Sequence, residues 1–206
     1  MKRYLGALIL GAASAACFAA APQKILVMGD SLSAEYGLPR GAGWVNLLAQ
    51  KLTIEKIGAE VINASISGET TSGGLSRLPT LLAQHKPNIV IVELGGNDAL
   101  RGMAMLQTEK NLAHLVSLSQ KSGAKVLLLG MQVPPNMGPA YTKDFAAVYV
   151  KVAKDHKVLL VPFFLKGVAD AANARDLFQA DGIHPVAAAH PTILANVWLE
   201  LKKLLK

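Results

Sequence analysis

The chain has 206 residues, of which 51% are hydrophobic and 17% charged, and its formal net charge is +7 at pH 7. This length predicts one domain with a full hydrophobic core. Nucleic-acid binding is not expected, because the basic residues are spread along the chain and aromatic residues make up only 5% of it. The single cysteine, Cys17, excludes an internal disulfide and a cysteine-based metal site.

The first part of the chain predicts a secretory signal peptide over residues 1–21. Lys2 and Arg3 form a positively charged start, an apolar stretch covers residues 4–16, and small residues at 19–21 offer cleavage positions. Pro22 disfavours cleavage directly after residue 21, so we expect cleavage after residue 19 or 20. The mature protein is therefore expected in the periplasm or outside the cell.

Two alternatives to a cleaved signal peptide are open for this segment. The first is an uncleaved anchor, but the apolar stretch is too short for a comfortable transmembrane span, and stable membrane insertion is not expected. The second is a lipoprotein, because residues 14–17 faintly resemble a lipid-attachment box that ends at Cys17. Ser14 stands where such boxes carry an apolar residue, so lipid anchoring through Cys17 is not expected.

The rest of the chain alternates short apolar runs, typical of buried strands, with longer segments of helical spacing. The predicted strands span residues 24–28, 60–64, 88–94, 125–131 and 158–162. The predicted helices span residues 42–56, 73–85, 108–122, 143–156 and 186–205, with Pro79 as a kink or break in the second. Strands separated by helices imply an α/β fold, with a parallel sheet between two helical layers. Residues 22–206 are thus expected to form one domain.

Residues 29–32 read Gly-Asp-Ser-Leu and come directly after the first predicted strand. A serine in this position lies where an open α/β sheet forms its active site, and the glycine allows a sharp turn. The alternative is an ordinary helix cap made by Asp30 or Ser31. These four residues alone do not decide between the two interpretations.

A second motif lies near the other end of the chain, where residues 181–185 read Asp-Gly-Ile-His-Pro. Asp181 and His184 are the residue types that orient and supply a base for an activated serine. In isolation, the motif also fits a surface turn with a capping aspartate. Residues 63–68 and 95–98 follow two further strands and could supply the N–H donors that an oxyanion needs.

Together the four motifs resemble the SGNH subgroup of the GDSL hydrolases, in the family's order and over essentially the whole mature chain. The resemblance implies a flavodoxin-like sheet of about five strands and a Ser-His-Asp triad, with Ser31 as nucleophile, His184 as base and Asp181 orienting His184. It implies an oxyanion hole from the backbone N–H groups of Ser31 and Gly68 and the side-chain amide of Asn97. The implied substrates are small acyl esters and thioesters, including acyl-CoA, aryl esters and lysophospholipids.

Two irregular loops, residues 100–105 and 132–141, are expected to line an acyl-binding groove. Leu100, Met103 and Met137 are the candidate substrate-binding residues, because methionine suits an adaptable apolar wall. Ordinary packing is the alternative for each methionine. Glu35 and Tyr36 follow the nucleophile motif where related enzymes vary, so they leave the substrate preference open.

The remaining candidates are assigned other roles. Asp30 and Asp98 are interpreted as structural or loop-ordering residues. His190 is the alternative base, although it has no carboxylate three residues before it. Metal-ligand spacings and nucleotide-binding glycine motifs are absent from the sequence, so no cofactor is expected.

Two alternatives for the function stay open: a short-acyl carbohydrate esterase and a non-catalytic envelope-binding domain. The protein is expected to be a monomer.

Overall fold

The computed structural model describes residues 21–205, so residues 1–20 of the predicted signal peptide, including Cys17, lie outside the described residues. Five strands form one parallel sheet: β1 (Gln23–Gly29), β2 (Ala59–Asn63), β3 (Ile89–Glu93), β4 (Lys125–Leu129) and β5 (Leu159–Val161). Their order across the sheet is β2-β1-β3-β4-β5. This order confirms the predicted flavodoxin-like α/β fold.

Helices cover both faces of the sheet: α1 (Trp44–Ile54), α2 (Thr71–His85), α3 (Gly96–Leu100), α4 (Met105–Lys121), α5 (Pro139–His156) and α6 (His190–Leu201). Helices α1 and α6 pack against each other, whereas α4 packs between α2 and α5. The two groups form the outer layers of the α/β/α sandwich. Among the described residues, no helix is both long enough and apolar enough to cross a bilayer.

The core lies along the central strands β1 and β3. Side chains Ile25–Met28 of β1 and Ile89–Val92 of β3 have no exposed surface. Apolar residues run on without alternation in these strands because helices bury both of their faces. The edge strands β2 and β5 are partly exposed. The two best-buried strands are thus the ones that lead into the serine and asparagine motifs.

Several element boundaries differ from the prediction. Helix α5 begins at Pro139 rather than at residue 143, because a proline fits the first helical turn, where its missing N–H is not needed. Helix α6 spans only 190–201, since residues 187–189 form a 3-10 turn. Helix α2 continues through Pro79 without a break. The short helix α3 was not predicted, because five residues are too few to show a helical period.

Candidate active site

The predicted motifs meet at the carboxyl edge of the sheet, where β1 and β3 lie side by side. The chain passes from β1 to the edge strand β2, but from β3 towards β4, and such a divergence opens a crevice that α/β proteins use for ligands. Ser31 follows β1, Gly68 follows β2 and Asn97 follows β3, while His184 lies between β5 and α6. The topology therefore brings all four positions to one edge.

Ser31, His184 and Asp181 form a continuous chain of polar contacts. Ser31 Oγ lies 2.8 Å from His184 Nε2, and His184 Nδ1 lies 2.7 Å from Asp181 Oδ2. The His184 side chain is 15% exposed, whereas the Asp181 side chain is 38% exposed. A hydroxyl, an imidazole and a carboxylate in this sequence are the groups that make a serine nucleophilic.

A tight turn orients the Asp181 carboxylate. Its Oδ1 atom accepts the backbone N–H groups of His184 at 3.0 Å and Ile183 at 2.9 Å, and Gly182 makes the turn with a φ of +68°. Hydrogen bonds from the His184 backbone, the His184 ring and the Ile183 backbone lower the pKa of Asp181 to about 2. An ionised carboxylate only accepts hydrogen bonds, so the His184 proton lies on Nδ1 and Nε2 is left to accept from Ser31.

A short backbone pairing holds the segment that carries His184. Phe178 and Pro185 form an antiparallel bridge, and the Gln179 N–H donates to the His184 carbonyl at 2.7 Å. Because these contacts hold the backbone on both sides of His184, they fix the position from which its side chain extends to Ser31.

Gly68 and Asn97 lie on two loops that hydrogen bonds join to the nucleophile turn. Gly68 has a φ of +78°, which favours glycine, and its carbonyl accepts from Arg101 Nη2 at 2.7 Å. Asn97 Nδ2 donates to the Glu69 carbonyl at 3.0 Å and to Asp30 Oδ2 at 2.9 Å. The candidate oxyanion donors are thus linked to one another and to the residue next to Ser31.

Two buried carboxyl groups lie behind the nucleophile turn. Asp30 is 2% exposed and Glu93 is fully buried. Glu93 Oε2 accepts the Ser33 hydroxyl at 2.7 Å and the Asp30 N–H at 3.2 Å, and Asp30 Oδ1 accepts the Leu32 N–H at 3.0 Å. Burial raises the pKa of Asp30 to about 6, and burial together with the neighbouring Asp30 charge raises the pKa of Glu93 well above its usual range. These carboxyls order the turn that carries Ser31, and sequence reasoning missed Glu93.

The buried carboxylate of Asp98 anchors the loop that carries the asparagine. It accepts the backbone N–H of Thr71 at 2.9 Å and the Thr71 hydroxyl. Asn111 Nδ2 donates in turn to that hydroxyl at 2.9 Å. Asp98 therefore fastens α3, on which Asn97 lies, to the start of α2 and to α4, which agrees with the loop-ordering role predicted for it.

A largely apolar cavity of about 790 Å³ opens beside Ser31 and His184. Leu100 lines it, as predicted, and so does Met131. Much of the remaining wall comes from the segment between β5 and His184: Phe163, Leu165, Ala169, Ala174, Phe178 and Ile183. The run of apolar residues directly after β5 was the only sequence signal for this wall, and sequence reasoning did not use it.

Met103 and Met137 are not among the residues that line this cavity, and their role as substrate-binding residues stays a prediction. Met137 lies in a 3-10 turn and packs against the hydrophobic core. The Met103 N–H donates to the Asp98 carbonyl, which holds that residue at the end of α3. The composition of residues 100–105 and 132–141 indicated apolar loops. It did not show which residues of each loop line the cavity.

His190, the alternative base, makes its side-chain hydrogen bond to helix α1. It is 2% exposed, and its Nδ1 atom accepts the backbone N–H of Trp44 at 3.0 Å. Burial lowers the pKa of His190, so the ring is neutral at neutral pH. His190 therefore links α6 to α1 in the structure. Within residues 21–205, no three His, Cys, Asp or Glu side chains are grouped so that they could hold a metal ion.

Two known proteins with similar sequences are named as an esterase and as a thioesterase. Esterase TesA of Pseudomonas aeruginosa is 54% identical over 186 residues, which cover 90% of this chain and 91% of the relative. Thioesterase 1/protease 1/lysophospholipase L1 of Escherichia coli K12 is 44% identical over 175 residues, which cover 85% of this chain and 81% of the relative.

Solved structures agree with these similarities. The crystal structure of TesA has a TM-score of 0.85 at 54% identity and covers 89% of this chain and 100% of its own. The psychrotrophic esterase EstA from Pseudoalteromonas sp., inhibited by monoethylphosphonate, has a TM-score of 0.82 at 41% identity, with coverage of 88% and 97%. The model of the GDSL-like lipase/acylhydrolase family matches residues 27–191. The chain therefore belongs to the GDSL-like lipase/acylhydrolase family of ester hydrolases.

Proposed function

We propose that this chain is an exported serine hydrolase that cleaves carboxylic esters and thioesters with Ser31 as its nucleophile. The observation that carries this proposal is the contact chain from Ser31 Oγ through the His184 ring to the Asp181 carboxylate, with distances of 2.8 and 2.7 Å. Family membership supports ester hydrolysis, and the geometry supports the assignment of these three residues.

In the first half of the reaction, Ser31 Oγ attacks the acyl carbon while His184 Nε2 takes the hydroxyl proton. The carbonyl bond opens to an oxyanion, and His184 becomes an imidazolium beside the ionised Asp181. The tetrahedral intermediate then expels an alcohol or a thiol, which takes its proton from His184. The product of this half is an acyl ester on Ser31.

The second half repeats these steps with water as the nucleophile. His184 takes a proton from water, the hydroxide attacks the acyl carbon, and the proton returns to Ser31 Oγ as the carboxylic acid leaves. In both halves the oxyanion lies near the backbone N–H groups of Ser31 and Gly68 and near Asn97 Nδ2. Because both Asn97 amide hydrogens are donated to protein acceptors, the oxyanion would replace one of those acceptors, the Glu69 carbonyl or Asp30.

The cavity supports an acyl chain as the group bound next to Ser31. Its volume of about 790 Å³ and its mostly apolar walls suit a flexible hydrocarbon chain better than a sugar, although Gln132, Asp170 and Arg175 also line it. We therefore favour esters and thioesters of longer acyl groups over acetylated carbohydrates. The relatives named as esterase and as thioesterase and lysophospholipase support the same substrate class.

The test is hydrolysis of p-nitrophenyl esters with two to sixteen acyl carbons by the purified protein and by Ser31→Ala. We expect activity in the wild type, none in the variant, and a profile that favours chains longer than acetyl. Labelling of Ser31 by a phosphonate would identify the nucleophile directly. Full activity in the folded variant would remove Ser31 from the mechanism. Activity on acetyl esters alone would favour a short-acyl esterase, and no activity would favour a binding domain.

We also propose that residues 1–21 direct export and that residues 22–206 act as one hydrolase domain and as a monomer. The charged start, apolar stretch and small residues of the N-terminus support export. N-terminal sequencing of protein from the periplasmic fraction tests it, with cleavage after residue 19 or 20 as the expected result. Size-exclusion chromatography with light scattering tests the monomer.

A further inference from the structure

Tyr36 contacts the His184 imidazole although core packing does not require it. The centres of the two rings are 4.3 Å apart, with 37° between their planes. Half of the Tyr36 surface is exposed. A half-exposed tyrosine gains less free energy from hydrophobic burial than a tyrosine in the core. Burial alone therefore does not explain its contact with the His184 ring.

The Tyr36 backbone connects the two loops that carry the proposed nucleophile and base. Its N–H donates to the Ser31 carbonyl at 3.3 Å. Its carbonyl accepts from Gln179 Nε2 at 2.9 Å, and the same nitrogen donates to the Pro185 carbonyl at 3.1 Å. Tyr36 is therefore tied on one side to Ser31 and on the other to the segment that contains His184.

The preceding residue keeps this loop in shape. The Glu35 carboxylate accepts the backbone N–H groups of Gly43 at 2.7 Å and Gly41 at 3.0 Å, and the Asn46 side-chain amide at 2.9 Å. Glu35 itself adopts a left-handed φ of 60°, which is uncommon for a residue other than glycine. Three residues that follow shortly in the chain thus hold the turn from which the Tyr36 ring projects onto His184.

We propose that Tyr36 is a positioning residue that acts through His184 in the proposed hydrolysis, on which this inference rests. When His184 accepts the Ser31 proton, the positive charge forms against the aromatic ring of Tyr36, and a cation within about 6 Å of a ring centre is attracted to the ring face. The charged groups that also face His184 are Asp181, on its own turn, and Asp30, behind Ser31. Tyr36 covers the imidazole from a direction that neither carboxylate reaches by hydrogen bonding.

The test compares Tyr36→Leu, which keeps an apolar side chain but removes the aromatic ring, with Tyr36→Phe, which keeps the ring. For p-nitrophenyl butyrate we expect Tyr36→Leu to lower kcat about 2- to 5-fold with little change in KM. The acid limb of its kcat/KM profile should move about 0.4 to 0.7 pH units towards lower pH, because the imidazolium loses stabilisation. Tyr36→Phe should restore both quantities. Leu199→Ala, an exposed apolar residue on α6, is the control and should change neither.

Wild-type kcat and an unmoved acid limb in Tyr36→Leu would overturn the proposal. A lower kcat with an unmoved acid limb, or an equal loss in Tyr36→Phe, would also overturn it, because either would indicate packing alone. Failure of the proposed function has a different signature: the wild type itself would not hydrolyse the ester, or Ser31→Ala would retain its activity. The two failures are therefore separable in one set of measurements.

Discussion

Replacing Asp181 by asparagine should disable His184 while leaving the fold intact. In the structure, Asp181 Oδ1 accepts two backbone N–H groups, so the asparagine oxygen must stay at that position. The amide nitrogen then takes the place of Oδ2 and donates to His184 Nδ1. The imidazole is driven into the other tautomer, with its proton on Nε2, where it no longer accepts the proton of Ser31.

The size of the effect follows from two contributions. Turning the amide round would give up the two backbone bonds, each of about 1 kcal/mol. Losing the negative charge beside the imidazolium costs about 2 kcal/mol more, a value reduced from the buried case because the Asp181 side chain is 38% exposed. The total of about 4 kcal/mol corresponds to a loss of roughly 1000-fold in kcat.

The assay is p-nitrophenyl ester hydrolysis at neutral pH, with circular dichroism to check the fold. Asp155→Asn is the matched control, since that carboxylate is exposed on α5 and pairs only with Lys151 among the contacts of the described residues. It should leave kcat unchanged. A loss of less than 10-fold in a folded Asp181→Asn variant would refute the role of Asp181 in setting the His184 tautomer.

Three further predictions concern the donors, the buried acids and the core. Asn97→Ala should lower kcat about 100-fold or more with little change in KM, and an unchanged kcat would mean that the oxyanion is held elsewhere. Because burial raises the pKa of Glu93, the wild-type free energy of unfolding should fall as the pH rises above 4.5, the ordinary value for glutamate. Glu93→Gln should flatten that dependence in urea denaturation at pH 5 and 8, and an equal slope in both proteins would show that Glu93 is ionised in the native state. Ile91→Ala, at a side chain with no exposed surface, should cost about 2 to 5 kcal/mol in the same assay, and a loss below 1 kcal/mol would contradict its place in the core.

Local sequence patterns were sufficient to predict the layered α/β fold and the positions of the four motifs. Apolar runs without alternation identify strands buried on both faces, and the serine motif directly after β1 predicts the edge of the sheet at which the candidate site lies. Asp181 and His184 lie only three residues apart, so their mutual contact is a property of one local turn. Features of this kind depend on neighbours along the chain, and sequence patterns report them well.

The contacts that distant residues make around these motifs became apparent only from the folded chain. Periodicity did not indicate that the segment after β5 forms much of the cavity wall or that the Tyr36 ring contacts the His184 ring. The burial of Glu93 behind Ser31 was equally invisible, because a glutamate at the end of a strand is ordinarily exposed. Such contacts join residues far apart in the chain, and they depend on strand register and on how loops pack, which local composition does not encode.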